Sequence, residues 1–109
     1  MAIDVKITDN SDEFLKALPE QIEQALIAIG LTAESYAKAD CPVDTGRLRN
    51  SITYAVETGE QAVYIGSNVE YAASVELGTS RMKARPYLKP AATEHSAEYK
   101  SLAEQALKG

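Results

Sequence analysis

The first apolar positions of the chain alternate with polar ones, and the next recur every three or four residues. Residues 2–8 place apolar side chains at every second position, which predicts a half-buried strand. Residues 12–39 follow helical spacing, which predicts one long amphipathic helix. The apolar stripe of that helix contains Phe14, Leu15, Leu18, Ile22, Ala25, Leu26, Ile29, Ala33, Tyr36 and Ala37.

Two residues interrupt the long helical pattern. Pro19 lacks an amide hydrogen, so we expect either a kink or two helices, the second with Pro19 in its first turn. Gly30 weakens the helix interior by roughly 1 kcal/mol relative to alanine. It either permits close approach of a neighbouring backbone or is simply tolerated. Asn10 or Ser11 is the predicted N-cap of the first segment.

Two further alternating runs predict a β-hairpin. Residues 51–58 and 61–66 read as strands joined by a glycine-containing turn, which indicates an antiparallel pair. A short helical turn at 46–50 precedes them. Asp44 or Thr45 can cap that turn, because side-chain oxygens accept hydrogen bonds from the free amides of a first turn.

The last third of the chain predicts a short helix, a loop and a final helix. Residues 71–77 fit two helical turns ended by Gly78. We expect residues 84–88 to be a short strand or extended segment, because a residue before proline avoids the helical region. Pro90 then suits the first turn of the final helix. The apolar stripe of that helix is Leu88, Ala91, Ala92, His95, Tyr99, Leu102 and Ala106.

Charge is distributed unevenly. The chain carries a net charge of −5, yet residues 1–46 hold nine acidic and three basic residues, and residues 81–89 hold four basic residues and no acid. A nucleic-acid binder usually spreads cations over a face. The basic segment therefore favours contact with another protein over a phosphate-binding or merely solvated loop, and contact between copies fits the acidic N-terminal half. The four cations are Arg81, Lys83, Arg85 and Lys89.

Catalytic and metal-binding patterns are absent from the sequence. No glycine-rich phosphate loop or nucleophile elbow is present, and the single Cys41 and single His95 lie far apart in sequence. We expect Cys41 to be a small, partly buried residue and His95 a packing residue of the final helix. The acidic pair Glu20 and Glu23 fits a solvated helix face. We expect no enzyme activity, no cofactor and no metal, and no apolar run approaches the ~18 residues that span a membrane.

Two stretches resemble one family of proteins. Residues 42–52, PVDTGRLRNSI, resemble a signature with proline, an apolar residue, Asp-Thr-Gly and a later Ser-Ile pair. Residues 71–79, YAASVELGT, and 86–91, PYLKPA, resemble a second signature that flanks a basic stretch. Both belong to the gene-product-ten-like family of tail components of long-tailed bacteriophages, first described in lambdoid phages. Leu77 and Tyr87 stand where phenylalanine is frequent, and Cys41 where alanine is frequent.

The resemblance implies a virion protein of the phage neck or tail, made in the host cytoplasm and encoded by a phage or prophage. It implies an α+β fold over one domain, 1–109: a small antiparallel sheet of three or four strands, with the long N-terminal helix packed across it. A short helix would precede the basic loop and a helix would end the chain. Similar proteins act in head–tail joining or tail completion, as rings that commonly hold six copies. The implied partners are copies of the chain, with a ring in the virion and a monomer allowed in isolation, and neighbouring neck and tail-tube proteins. The rival reading is a small nucleic-acid-binding module that uses residues 81–89.

The matched positions divide by expected role. We expect Glu76 to pair with Arg47, Arg49 or Arg85, and the tip Ser80 to Arg85 to be disordered until a partner binds. The framework residues of the motifs are Asp44, Thr45, Gly46, Leu48, Tyr71, Glu76, Gly78, Thr79, Pro86, Leu88 and Pro90. The candidate interface residues are Arg81, Met82, Lys83, Arg85 and Lys89.

Overall fold

A computed structural model of the chain describes residues 3–8, 16–42 and 46–108. Helices and a small antiparallel sheet share one core, which confirms the predicted α+β class. The elements are β1 (Ile3–Thr8), α1 (Pro19–Asp40), α2 (Arg47–Ser51), β2 (Thr53–Glu57), a 3₁₀ turn (Thr58–Glu60), β3 (Ala62–Ser67), α3 (Ala72–Leu77), α4 (Leu88–Thr93) and α5 (Ser96–Lys108).

The sheet has the order β1-β3-β2 with both pairs antiparallel, so the predicted hairpin is confirmed. Its register places Val5, Ile65 and Tyr54 in one row across the strands. These side chains face the helices, whereas the next row, with Lys6 and Tyr64, faces away. The alternation seen in the sequence therefore distinguishes the covered and uncovered faces of the sheet.

Helix α1 begins at Pro19, as predicted for the second of two helices, and most of the segment that would form the first lies outside the described residues. The Leu18 amide donates to the Gln21 side-chain oxygen at 3.1 Å, which satisfies one backbone group just before the helix. The caps predicted at Asn10 and Ser11 lie outside the described residues. The apolar stripe is confirmed within α1, where the buried residues are Ile22, Ala25, Leu26, Ile29, Gly30, Ala33 and Ala37. The placement of Leu18 on this stripe is wrong, because Leu18 precedes the helix and is 62% exposed.

Gly30 makes room for a side chain rather than for a backbone. A Cβ atom at this position would lie 2.5 Å from Cδ2 of Tyr54, which is closer than carbon atoms approach one another. The ring of Tyr54, on β2, therefore rests directly on α1. Neither alternative predicted for Gly30 is correct as stated, because the absence of a side chain is required by the packing and the neighbour is a ring rather than a backbone.

The predicted final helix is two helices that share one apolar stripe. α4 ends at Thr93 and α5 begins at Ser96, so the chain turns at Glu94 and His95. α5 then packs along α1, and the ring of His95 stacks on Tyr36 with 3.5 Å between centroids. This confirms His95 as a packing residue. The periodicity continues across the turn and therefore conceals it.

Candidate interaction surface at the basic loop

The loop that carries the cations starts at a glycine that no other residue could replace without strain. Gly78 ends α3 with φ of 77°, and its amide donates to the Ser74 carbonyl at 2.9 Å. A Cβ atom here would lie 2.7 Å from the Ala84 nitrogen. The chain therefore leaves α3 and folds back against its own starting point.

The far end of the loop is held by a buried carboxylate. Glu76 is only 4% exposed, and one of its oxygens accepts hydrogen bonds from the amides of Tyr87 at 2.9 Å and Leu88 at 2.7 Å. Its other oxygen accepts from the Lys89 amide at 3.1 Å. These amides open α4, where backbone donors have no partner within the helix and a negative charge is favoured.

This arrangement corrects two predictions. Glu76 was expected to pair with Arg47, Arg49 or Arg85, and that prediction is wrong, because its oxygens are occupied by backbone amides. Of the short strand or extended segment predicted at 84–88, the strand is wrong, since residues 84–86 have no regular structure and α4 begins at Leu88. Amides that donate to a carboxylate cannot also donate to a strand ladder.

Tyr87 and Leu88 fix the loop's end in the core. Both are fully buried, and the Tyr87 hydroxyl donates to the Ala72 carbonyl at 3.1 Å. Burial raises the pKa of the Tyr87 hydroxyl. A ring buried in this way cannot stack on a nucleotide base, which removes the one aromatic residue among the cations from nucleic-acid recognition.

The loop tip has hydrogen bonds of its own. The Thr79 amide donates to the Met82 carbonyl at 2.8 Å, and the Arg81 amide donates to the Thr79 hydroxyl at 3.2 Å. The Arg85 amide donates to the Val75 carbonyl at 2.8 Å, which ties the tip back to α3. The expected disorder of the tip in an isolated subunit stays a prediction.

The candidate interface residues all lie on the surface of this loop and of the start of α4. Their side chains are exposed, and none of the four cations forms a salt bridge within the described part of the chain. Two exposed apolar side chains, Leu77 and Met82, lie at the root and the tip of the same loop. The sequence analysis predicted Met82 as an interface residue but did not include Leu77.

The first signature contributes an ion pair and a core residue next to α3. Arg47 of α2 donates to both carboxylate oxygens of Glu70, at 2.8 and 2.9 Å, and lies 5.6 Å from the Tyr71 ring centre. The Arg47 guanidinium lowers the pKa of Glu70 to about 2. Leu48 is buried in the core. Asp44 and Thr45, with their predicted cap, lie outside the described residues.

The surroundings of Cys41, the single cysteine, do not favour a reactive thiol. Cys41 is buried, more fully than expected, and its thiol donates weakly to the Pro42 carbonyl at 3.4 Å. Burial raises the pKa of this thiol, which disfavours the reactive thiolate. Across the described ranges, no three His, Cys, Asp or Glu side chains come together as metal ligands, and no helix is long and apolar enough to cross a membrane.

Comparison with known proteins agrees with the resemblance seen in the motifs. The model of the family described as "Bacteriophage HK97-gp10, putative tail-component" matches residues 6–78, which include the first signature and the second as far as Gly78. Comparisons with curated proteins and with solved structures gave no match. The matched part begins within β1, contains the rest of the sheet, α1, α2 and α3, and stops where the basic loop begins. The chain belongs to the HK97-gp10-like family of bacteriophage tail components.

Proposed function

We propose that the protein is a structural subunit of the phage neck or tail that acts in head–tail joining or tail completion by forming a ring with copies of itself. The observation that carries the proposal is the family match over residues 6–78. A tail component is part of the virion, and its partners are other structural proteins of the particle. A ring of six copies with tail-tube and neck neighbours is the arrangement we propose.

The basic loop supports a role in assembly. Its two ends are fixed by Gly78 and Glu76, so the exposed tip between them is presented in a defined direction. A preorganised surface loses less conformational entropy when a partner binds than a loop with free ends. Four cations without an ion-pair partner in the described structure suit a partner that supplies acidic groups.

Removing the gene from the phage that carries it tests the proposal. We expect filled heads and separate tails, or tails of abnormal length, in electron micrographs, with infectivity restored by the gene supplied on a plasmid. Native mass spectrometry of the purified protein, alone and with neck and tail-tube proteins, should then show a closed oligomer. Normal infectious particles without the gene, or a strict monomer that binds neither partner, would refute the proposal.

A nucleic-acid-binding module remains the second candidate, because four exposed cations lie within nine residues. Replacing Arg81, Lys83, Arg85 and Lys89 together with glutamine should then abolish DNA binding that weakens as salt rises. The buried ring of Tyr87 argues against this candidate. Absence of DNA binding by the unmodified protein at low salt would end it.

A further inference from the structure

Four large apolar side chains are exposed among the described residues, and one of them, Leu18, precedes α1. Of the other three, Leu77 and Met82 lie beside cations, and Leu31 lies on the same side of α1 as two glutamates. We propose that the basic loop of one copy docks on the solvent face of α1 in the next copy. This inference rests on the ring proposed above. We call the donor surface the loop patch, which consists of Leu77, Arg81, Met82, Lys83 and Arg85. We call the acceptor surface the helix patch, which consists of Glu20, Glu23, Ile27 and Leu31.

The loop patch combines apolar area with unpaired charge. Leu77 is 70% exposed and Met82 41%, although both are large apolar side chains. A single exposed apolar residue needs no explanation. Here the Thr79 amide donates to the Met82 carbonyl at 2.8 Å, which brings the stretch that carries Met82 and its neighbouring cations back beside the end of α3 at Leu77. Methionine adapts its shape to a partner surface, which suits an assembly contact.

The helix patch is the complement of the loop patch. Leu31 is 52% exposed in the middle of α1, and Ile27, one turn before it, is half-buried. Positions 20, 23, 27 and 31 recur every three or four residues, so they lie along one side of the helix. Glu20 and Glu23 are exposed and form no salt bridge with a described residue.

The two patches lie at different heights along α1. Pro42, Val75 and Arg85 line one cavity, so the far end of the loop sits near the C-terminal end of α1. Leu31 is ten residues before Cys41, or about 15 Å along a helix. Different surfaces on each copy give a heterologous interface, and such interfaces close into rings when the rotation permits.

Cysteine cross-linking between two separate chains tests this contact directly. In a Cys41→Ala background, one chain carries Met82→Cys and a second carries Leu31→Cys. Mixed and oxidised, these chains should give a disulfide-linked dimer in high yield. The control replaces the second chain by one with Gln105→Cys on α5, which is exposed and outside both patches. A control yield that equals the test yield would overturn the inference.

Charge reversal gives an independent test by native mass spectrometry, with neck and tail-tube proteins present if they are needed for assembly. Arg81→Glu with Lys83→Glu should lower the assembled fraction about tenfold or more, because like charges then face each other. Adding Glu20→Lys with Glu23→Lys to the same chain should restore assembly. The matched control, Lys16→Glu with Lys100→Glu, makes the same change in net charge at exposed sites outside both patches.

The outcomes separate the inference from the function on which it rests. If the unmodified protein assembles and the loop reversal has no effect, or the helix reversal fails to restore assembly, the loop-to-helix contact is refuted while the ring stands. If the unmodified protein never assembles, with or without its neighbours, the ring itself is refuted and this inference with it.

Discussion

Replacing Glu76 with alanine should destabilise the protein far more than any other loss of a single acidic group among the described residues. The carboxylate accepts three backbone hydrogen bonds, from Tyr87, Leu88 and Lys89, and is nearly inaccessible to water. The substitution leaves those donors without an acceptor. It also removes the link between the end of α3 and the start of α4.

The magnitude follows from the burial of the donors. The Tyr87 and Leu88 amides belong to fully buried residues, and each buried donor left without a partner costs about 1–3 kcal/mol. The Lys89 amide lies near the surface and can donate to water instead, so its loss of the carboxylate adds little to the destabilisation. The two buried amides together therefore predict a loss of about 2–6 kcal/mol. Such a loss is a large part of the ~5–15 kcal/mol that stabilises a domain.

Urea denaturation followed by circular dichroism measures this loss, because the chain has no tryptophan to report by fluorescence. Glu76→Gln keeps the shape and one acceptor oxygen and should fall between the wild type and Glu76→Ala. The control is Glu70→Ala, which removes the same charge from an exposed ion pair. If Glu76→Ala is no less stable than Glu70→Ala, the anchoring role of Glu76 is refuted.

Three further predictions follow from packing and burial. Gly30→Ala should destabilise the protein by about 1 kcal/mol, because overpacking against Tyr54 outweighs the gain in helix propensity, and it should stabilise a Tyr54→Ala background. Cys41 should react slowly with Ellman's reagent in native protein and at once in denaturant; rapid native reaction would contradict its burial. In absorbance titrations Tyr87 and Tyr99 should ionise last, since burial raises the pKa of Tyr87 and raises that of Tyr99 to about 12. The stability that the two buried, neutral hydroxyls contribute is therefore complete below pH 10 and is lost as pH rises through the folded pKa values. Tyr99→Phe should therefore weaken the fall in the free energy of unfolding above pH 10, and an unchanged fall would contradict the raised pKa of Tyr99.

The elements that could be predicted from sequence are those whose pattern records burial directly. β1 shows the period of two and α1 the period of three to four because each element exposes one side and buries the other. The turn between α4 and α5 is not visible in the pattern of apolar residues. It contains neither glycine nor proline, and the apolar spacing passes through it without interruption.

The role of Glu76 was missed although the sequence holds a signal for it. Ala72, Ala73 and Glu76 recur at spacings of three and four, which is the spacing of a single buried stripe on α3. A carboxylate on such a stripe needs donors, and the helix start after Pro86 supplies backbone amides. Expecting an arginine partner instead rested on charge alone. Leu31 did have a signal, because it falls outside the apolar stripe predicted for the long helix. The exposure of Leu77 had no comparable signal, because an apolar residue at the end of a short helix reads equally well as core.

The two ends of the loop that carries the cations are both fixed. The hydrogen bonds between Glu76 and the start of α4 fix one end. Gly78 fixes the other end, so that only the short tip has to be ordered when a partner binds. Conformational entropy lost on binding scales with the number of residues ordered, so the fixed ends raise affinity without adding any contact. Loosening the Glu76 anchor should therefore weaken assembly even where every charge of the loop patch is kept.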